Sequence, residues 1–156
     1  MPWPQPQEYN EAIQHPKTCF SDPDLKRGTV RRNKMDIPVA ISGGFASVYE
    51  VTTPAGKWAI RCFIREVSDS QKRYAEISKA LNILRLPYTA PFEYQQAGIR
   101  VAGRGYPIVK MQWLSGELLG DYVAANIFNQ QLMTSLAKKW GTMVSEVDPI
   151  DWTAGT

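Results

Sequence analysis

Between residues 37 and 114 the apolar positions switch from a strand period to a helical period and back. Residues 38–41, 45–52 and 57–64 are rich in β-branched and aromatic side chains. They are punctuated by a Gly43-Gly44 pair and a Thr53-Pro54-Ala55-Gly56 turn, which predicts three strands. Further on, Tyr74, Ile77, Leu81 and Leu84 recur at spacings of three, four and three. That predicts an amphipathic helix over 69–85, ending before Pro87, with Glu76 beside its apolar stripe. Ser68-Asp69-Ser70-Gln71 has the Ser-x-x-Gln form of a capping box at the start. Strand patterns return at 92–96, 99–101 and 106–114, separated by Ala97-Gly98 and Gly103-Arg104-Gly105. The predicted class is α+β: a five-stranded antiparallel meander with one packed helix inserted after its third strand, followed by two helices.

Those two helices are predicted at 117–125 and 129–147. The second carries Leu132, Leu136, Trp140, Met143 and Val147 on one side and is broken by Asp148-Pro149. The tail 150–156 has no usable period. At the other end, residues 1–8 alternate proline with other residues, which predicts an extended arm that buries Trp3. Residues 8–14 predict a short helix stopped before Pro16. Residues 21–36 are rich in Asp, Pro, Gly, Lys and Arg and read as an irregular lead-in. The expected division is 1–36 as arm and lead-in, 37–114 as sheet and helix, and 115–156 as a linking segment with helices.

Composition narrows the chemistry. A chain of 156 residues with 44% hydrophobic content can bury a core. Its net charge of +3 is spread along the chain, so neither nucleic acid nor a membrane surface is the expected partner. The opening MPWPQPQ has no basic and apolar leader pattern, and no stretch approaches the ~20 apolar residues of a membrane span. A cytoplasmic location is therefore expected. Cys19 and Cys62 are far apart with no Cys-x-x-Cys and no histidine cluster, which argues against a zinc site and for two free thiols. His15, the only histidine, is read as structural or solvent-facing.

The candidate chemistry lies in residues 41–61, ISGGFASVYEVTTPAGKWAIR. Glycine lets a hairpin backbone approach a phosphate chain, and a cation on the following strand, Arg61, can reach the same charge. The order of elements resembles the N-terminal lobe of the protein kinase fold. Against the Gly-x-Gly-x-x-Gly-x-Val loop of that family the chain offers Ile41, Gly43, Ala46 and Val48, with Phe45 at the loop tip and Gly44 beside it. Trp58-Ala59-Ile60-Arg61 resembles the Val-Ala-Ile-Lys strand. Glu76 best matches the helix glutamate, with Glu66 the weaker match. Met111-Gln112-Trp113-Leu114-Ser115-Gly116-Glu117 resembles the gatekeeper and hinge.

The resemblance implies ATP as ligand. Ala59 would lie under the adenine, the Gln112 and Trp113 backbone would meet its edge, and Glu117 would lie near the ribose. Arg61 replaces the phosphate-binding lysine with a wider, planar, always charged group. The sequence contains no His-Arg-Asp or Asp-Phe-Gly segment. The resemblance therefore implies no catalytic residue here, and Mg²⁺ only if residues elsewhere supply its ligands. What it implies is the nucleotide-binding portion of a Ser/Thr-kinase-like protein, incomplete for phosphoryl transfer. The alternative is a pseudokinase-type interaction module without nucleotide, using the apolar face of the last helix for a protein partner or self-association. A small α+β binding domain of another kind is the third reading. Residue by residue, Gly43-Gly44 is also read as an ordinary hairpin turn, and Arg61 with Glu76 as a plain strand–helix ion pair.

Overall fold

Helices form almost at once, at Pro6–Ile13 (α1) and Pro16–Cys19 (α2), each with proline in its first turn, where a missing amide donor costs nothing. In the computed structural model, which describes residues 3–66 and 70–147, the expected extended arm is thus helical from Pro6 onward. Gln5 and Glu8 close a reciprocal cap at its start, with the Gln5 amide donating to Glu8 Oε2 at 2.8 Å. The irregular lead-in also has structure: a 3₁₀ turn at Leu25–Arg27 and a short strand, Thr29–Val30 (β1).

The sheet continues with Ala40–Ser42 (β2), Ala46–Thr53 (β3) and Gly56–Phe63 (β4). Helix Ser70–Leu84 (α3) follows, then Phe92–Val101 (β5) and Arg104–Gln112 (β6). The capping sequence at Ser68 and Asp69 lies outside the described residues. All pairings are antiparallel, in the order β1-β3-β4-β6-β5, with β2 also laid against β3. Among the described residues the sheet has six strands, not five: the lead-in contributes β1, and the segments 92–96 and 99–101 run together as β5. Nor is it a simple meander: β4 pairs with β6, and β5 lies outside β6. The crossover through α3 carries the chain to the far side, and the β5–β6 hairpin folds back. Its turn residues, Ala102 (φ 47°) and Gly103 (φ 80°), both have positive φ, as a two-residue hairpin requires. Residues 92–101 form one strand with a bulge between Gln95 and Ile99. A Cβ on Gly98 would come within 2.4 Å of Ile108 Cγ1, so the bulge needs glycine there.

Side chains alternate between the two faces, and the registers say which share a face. One face carries Tyr49, Val51, Trp58, Ile60, Cys62 and Ile108. Against it pack Tyr9 and Ile13 from α1, Cys19 and Phe20 from the α2 segment, and Leu25, all in the buried cluster that includes Tyr49, Ile60 and Ile108. Tyr9 Oη donates to Phe63 O at 2.7 Å, and Tyr49 Oη donates to Asn10 Oδ1 at 2.6 Å. Burial pushes both phenols to higher pKa. Cys19 and Cys62 are free and buried; burial raises the Cys19 thiol to about 12 and pushes Cys62 up as well. Both therefore act as small core hydrophobes at neutral pH. His15 is exposed.

The lead-in is held by a buried polar network. Lys110 Nζ lies 2.9 Å from Asp22 Oδ2 and 4.4 Å from the Trp58 ring centre. Gln95 Nε2 donates to Asp22 Oδ2 at 2.9 Å, and the Asp24 and Leu25 amides donate to Asp22 Oδ1. Trp58 Nε1 and Thr53 Oγ1 donate to Asp24 Oδ2 at 3.2 and 2.7 Å.

The other face carries Ala46, Val48, Ala59, Arg61, Phe63, Phe92, Tyr94, Val109 and Met111. Tyr74 anchors α3 here, with ring centres 5.7 Å from Phe63, 6.3 Å from Phe92 and 6.0 Å from a stacked Tyr94. Ser78 Oγ donates to Phe92 O at 3.0 Å.

The chain divides into two compact units, Met1–Trp113 and Leu114–Thr156. The second contains Leu119–Asn126 (α4) and Gln130–Val147 (α5). Asn129 begins α5, its Oδ1 accepting from the Leu132 amide at 3.1 Å. Asp148-Pro149 and the tail lie outside the described residues.

Candidate functional site

The residues singled out in the first unit lie along β4 and its neighbours, because strand pairing brings distant segments into register. Val48 is opposite Arg61, and Arg61 is opposite Val109. In the next row Ala59 is opposite Met111. Val48, Ala59, Arg61 and Met111 therefore share one face. Val48, Arg61 and Met111 are half-buried and Ala59 is buried. Gly43, Gly44 and Phe45 connect β2 to β3 at the Phe63 end of β4, whereas Gln112 is opposite Trp58 at its other end. Trp58 to Phe63 spans about 17 Å at ~3.3 Å per residue. Hairpin, cation and linking segment thus share one sheet but are strung along its length.

Arg61 has no acidic partner among the described residues. Its guanidinium carbon lies 5.6 Å from the Phe63 ring centre. The carboxylate on the same face, Glu50, is bridged instead to Lys57 at 3.0 Å and Arg31 at 3.4 Å. Glu76 is on α3 but exposed, and it forms no ion pair among the described residues, so the strand–helix pair Arg61–Glu76 is not made. Glu66, the weaker match, precedes α3 and is not on the helix.

The hairpin loop is short. The Gly43 amide donates to Ala46 O at 3.0 Å, and the Ile64 amide donates to Phe45 O at 3.0 Å. Neither Gly43 nor Gly44 has positive φ, and a Cβ on Gly43 would meet nothing within 4 Å. Phe45 at the tip is 53% exposed. The residue that grips this loop, Arg65, carries no sequence signal: its contacts depend on register, not spacing.

The linking segment differs from the expectation. The Gln112 amide donates to Pro91 O and the Trp113 amide to Lys57 O, each at 3.0 Å. Both donors are used within the protein and neither is free for a ligand edge. Glu117 is exposed in the second unit.

The polar network around Asp22 was also missed from sequence. Its one readable sign was Asp22-Pro23-Asp24, a turn-forming run whose first side chain accepts from the amides two and three residues on. Among the described residues no group of three His, Cys, Asp or Glu side chains gathers to hold a metal ion, and no helix is long and apolar enough to cross a membrane.

No protein-family model, curated protein or solved structure matches this chain.

Proposed function

We propose that the first unit binds a nucleotide, as the ATP-binding portion of a Ser/Thr-kinase-like protein that does not itself transfer phosphate. One observation carries this reading: Arg61 is a half-buried guanidinium with no carboxylate partner among the described residues, on the same face as Val48, Ala59 and Met111. Half-buried charge is costly unless paired, and an anion supplied by a ligand would complete it. The apolar neighbours suit an aromatic ring. The order of elements supports the same class: a glycine hairpin, a strand carrying a cation, a helix, then two strands.

At about 100 times its dissociation constant, Mg-ATP should stabilise the unit by ~2.7 kcal/mol. The melting temperature should rise by several degrees. Arg61→Ala should remove that rise while leaving the apo melting point nearly unchanged, since no acid among the described residues is left unpaired. No shift with any nucleotide, or an equal shift in Arg61→Ala, would exclude this reading.

A second reading is favoured by α5. Leu132, Leu136, Trp140, Met143 and Val147 lie along this helix, none is buried, and Trp140 is 52% exposed. An apolar face of this kind is a surface for a protein partner or a second copy, with no nucleotide needed. It predicts concentration-dependent association in sedimentation experiments, lost in Trp140→Glu. A strict monomer at high concentration would remove self-association.

A further inference from the structure

We propose that Arg65 is the positioning residue of the glycine hairpin, latching the loop tip to the exit of β4. Its Nε donates to Gly44 O at 2.6 Å, and its Nη2 donates to the same oxygen. Its guanidinium carbon lies 3.9 Å from the Phe45 ring centre, so one planar cation grips two consecutive loop residues. The neighbouring Ile64 amide holds Phe45 O. Residues 64 and 65 thus clasp the tip from the end of β4.

The latch explains why the two glycines differ. A Cβ on Gly44 would stand 3.1 Å from Arg65 Nη2, whereas one on Gly43 would meet nothing. Glycine at 44 lets the guanidinium lie close to the backbone; at 43 the space is open. Arg65 forms no ion pair among the described residues, so its charge stays at the tip. Lysine cannot replace it, because a single ammonium neither forks onto one carbonyl nor lies flat on a ring.

The latch rests on the loop geometry alone. Its consequence for ligand binding rests on the nucleotide reading: a hairpin with only one of the three expected glycines gains its set position from a side chain.

The test is amide exchange by NMR on the full chain without nucleotide, comparing wild type, Arg65→Ala, Arg65→Lys and Phe45→Leu. The reporters are the Gly43 and Ile64 amides. Loss of an exposed cation–π contact and a charge-assisted hydrogen bond should speed their exchange by about threefold to tenfold in Arg65→Ala. Arg65→Lys should resemble Arg65→Ala, Phe45→Leu should fall between them and wild type, and the Tyr49 and Cys62 amides should not change. Unchanged exchange at Gly43 and Ile64 overturns the latch.

A second arm measures ADP and adenosine binding. Arg65→Ala should weaken ADP at least threefold and leave adenosine unaffected; equal ADP binding overturns the positioning role. If wild type binds neither, the nucleotide reading fails and the exchange arm still decides the latch.

Discussion

Deleting residues 1–28 should leave a first unit that does not fold. The expected result is loss of that unit's cooperative urea transition in a protein starting at Thr29. The deletion removes Tyr9, Ile13, Cys19, Phe20 and Leu25, five of the thirteen side chains in the buried cluster among the described residues. Burying a large apolar side chain contributes about 1.5–3 kcal/mol. Losing four such chains and a thiol approaches the whole stability of an ordinary domain, about 5–15 kcal/mol. The sheet face left behind would expose Tyr49, Ile60 and Ile108, all buried now. Hydrogen bonds go too: Tyr9 Oη to Phe63 O, the Ser21 amide to Gly98 O at 3.0 Å, and Ser21 Oγ to Ala97 O at 2.6 Å. A truncated protein that unfolds cooperatively with wild-type midpoint would show the segment to be an accessory arm after all.

Asp22→Asn should cost about 3 kcal/mol in urea unfolding, and Asp22→Ala more, toward 5 kcal/mol. Asp22 and Lys110 side chains are each only 10% exposed, so removing the carboxylate leaves a buried ammonium without its counter-ion. The Trp58 ring and Asp24, 3.8 Å from Lys110, offset part of that cost, which places asparagine at the low end. Alanine also orphans the Asp24 and Leu25 amides and Gln95 Nε2. Adding Lys110→Met to Asp22→Asn should recover much of the loss, since the unpaired charge then disappears. A single-mutant change below about 0.5 kcal/mol would place the pair among surface bridges of little value.

The same carboxyl sets an acid limb. Burial alone would raise its pKa, but hydrogen bonds from Lys110, the Leu25 amide, Gln95 and the Asp24 amide outweigh it and hold the pKa at about 2. The unfolded chain titrates this group near ~3.9. A depressed folded pKa gives stability that is complete above ~4 and lost as pH falls through about 2. Wild type should therefore lose stability more steeply over that window than Asp22→Asn.

Local pattern alone determined much of this protein. The strands around Val48 and Ile60, the helix under Tyr74, the turn at Gly56 and the helix after Asn129 all form where their periods and breakers predict. Period and turn chemistry are properties of neighbouring residues, so one dimension suffices to read them. The shared face of Val48, Ala59, Arg61 and Met111 followed only once β6 was known to pair with β4. A crossover through α3 makes that choice, and nothing in residues 92–112 announces which neighbour they take. The proline-rich opening looked like an arm because its apolar residues are sparse. The segment that follows it became a wall of the core because Tyr9, Phe20 and Leu25 find an uncovered sheet face. Arg65 and Asp22 owe their roles to partners 21 and 88 residues away. Such pairs exist only after the chain has closed on itself: packing, not propensity, chooses who meets whom.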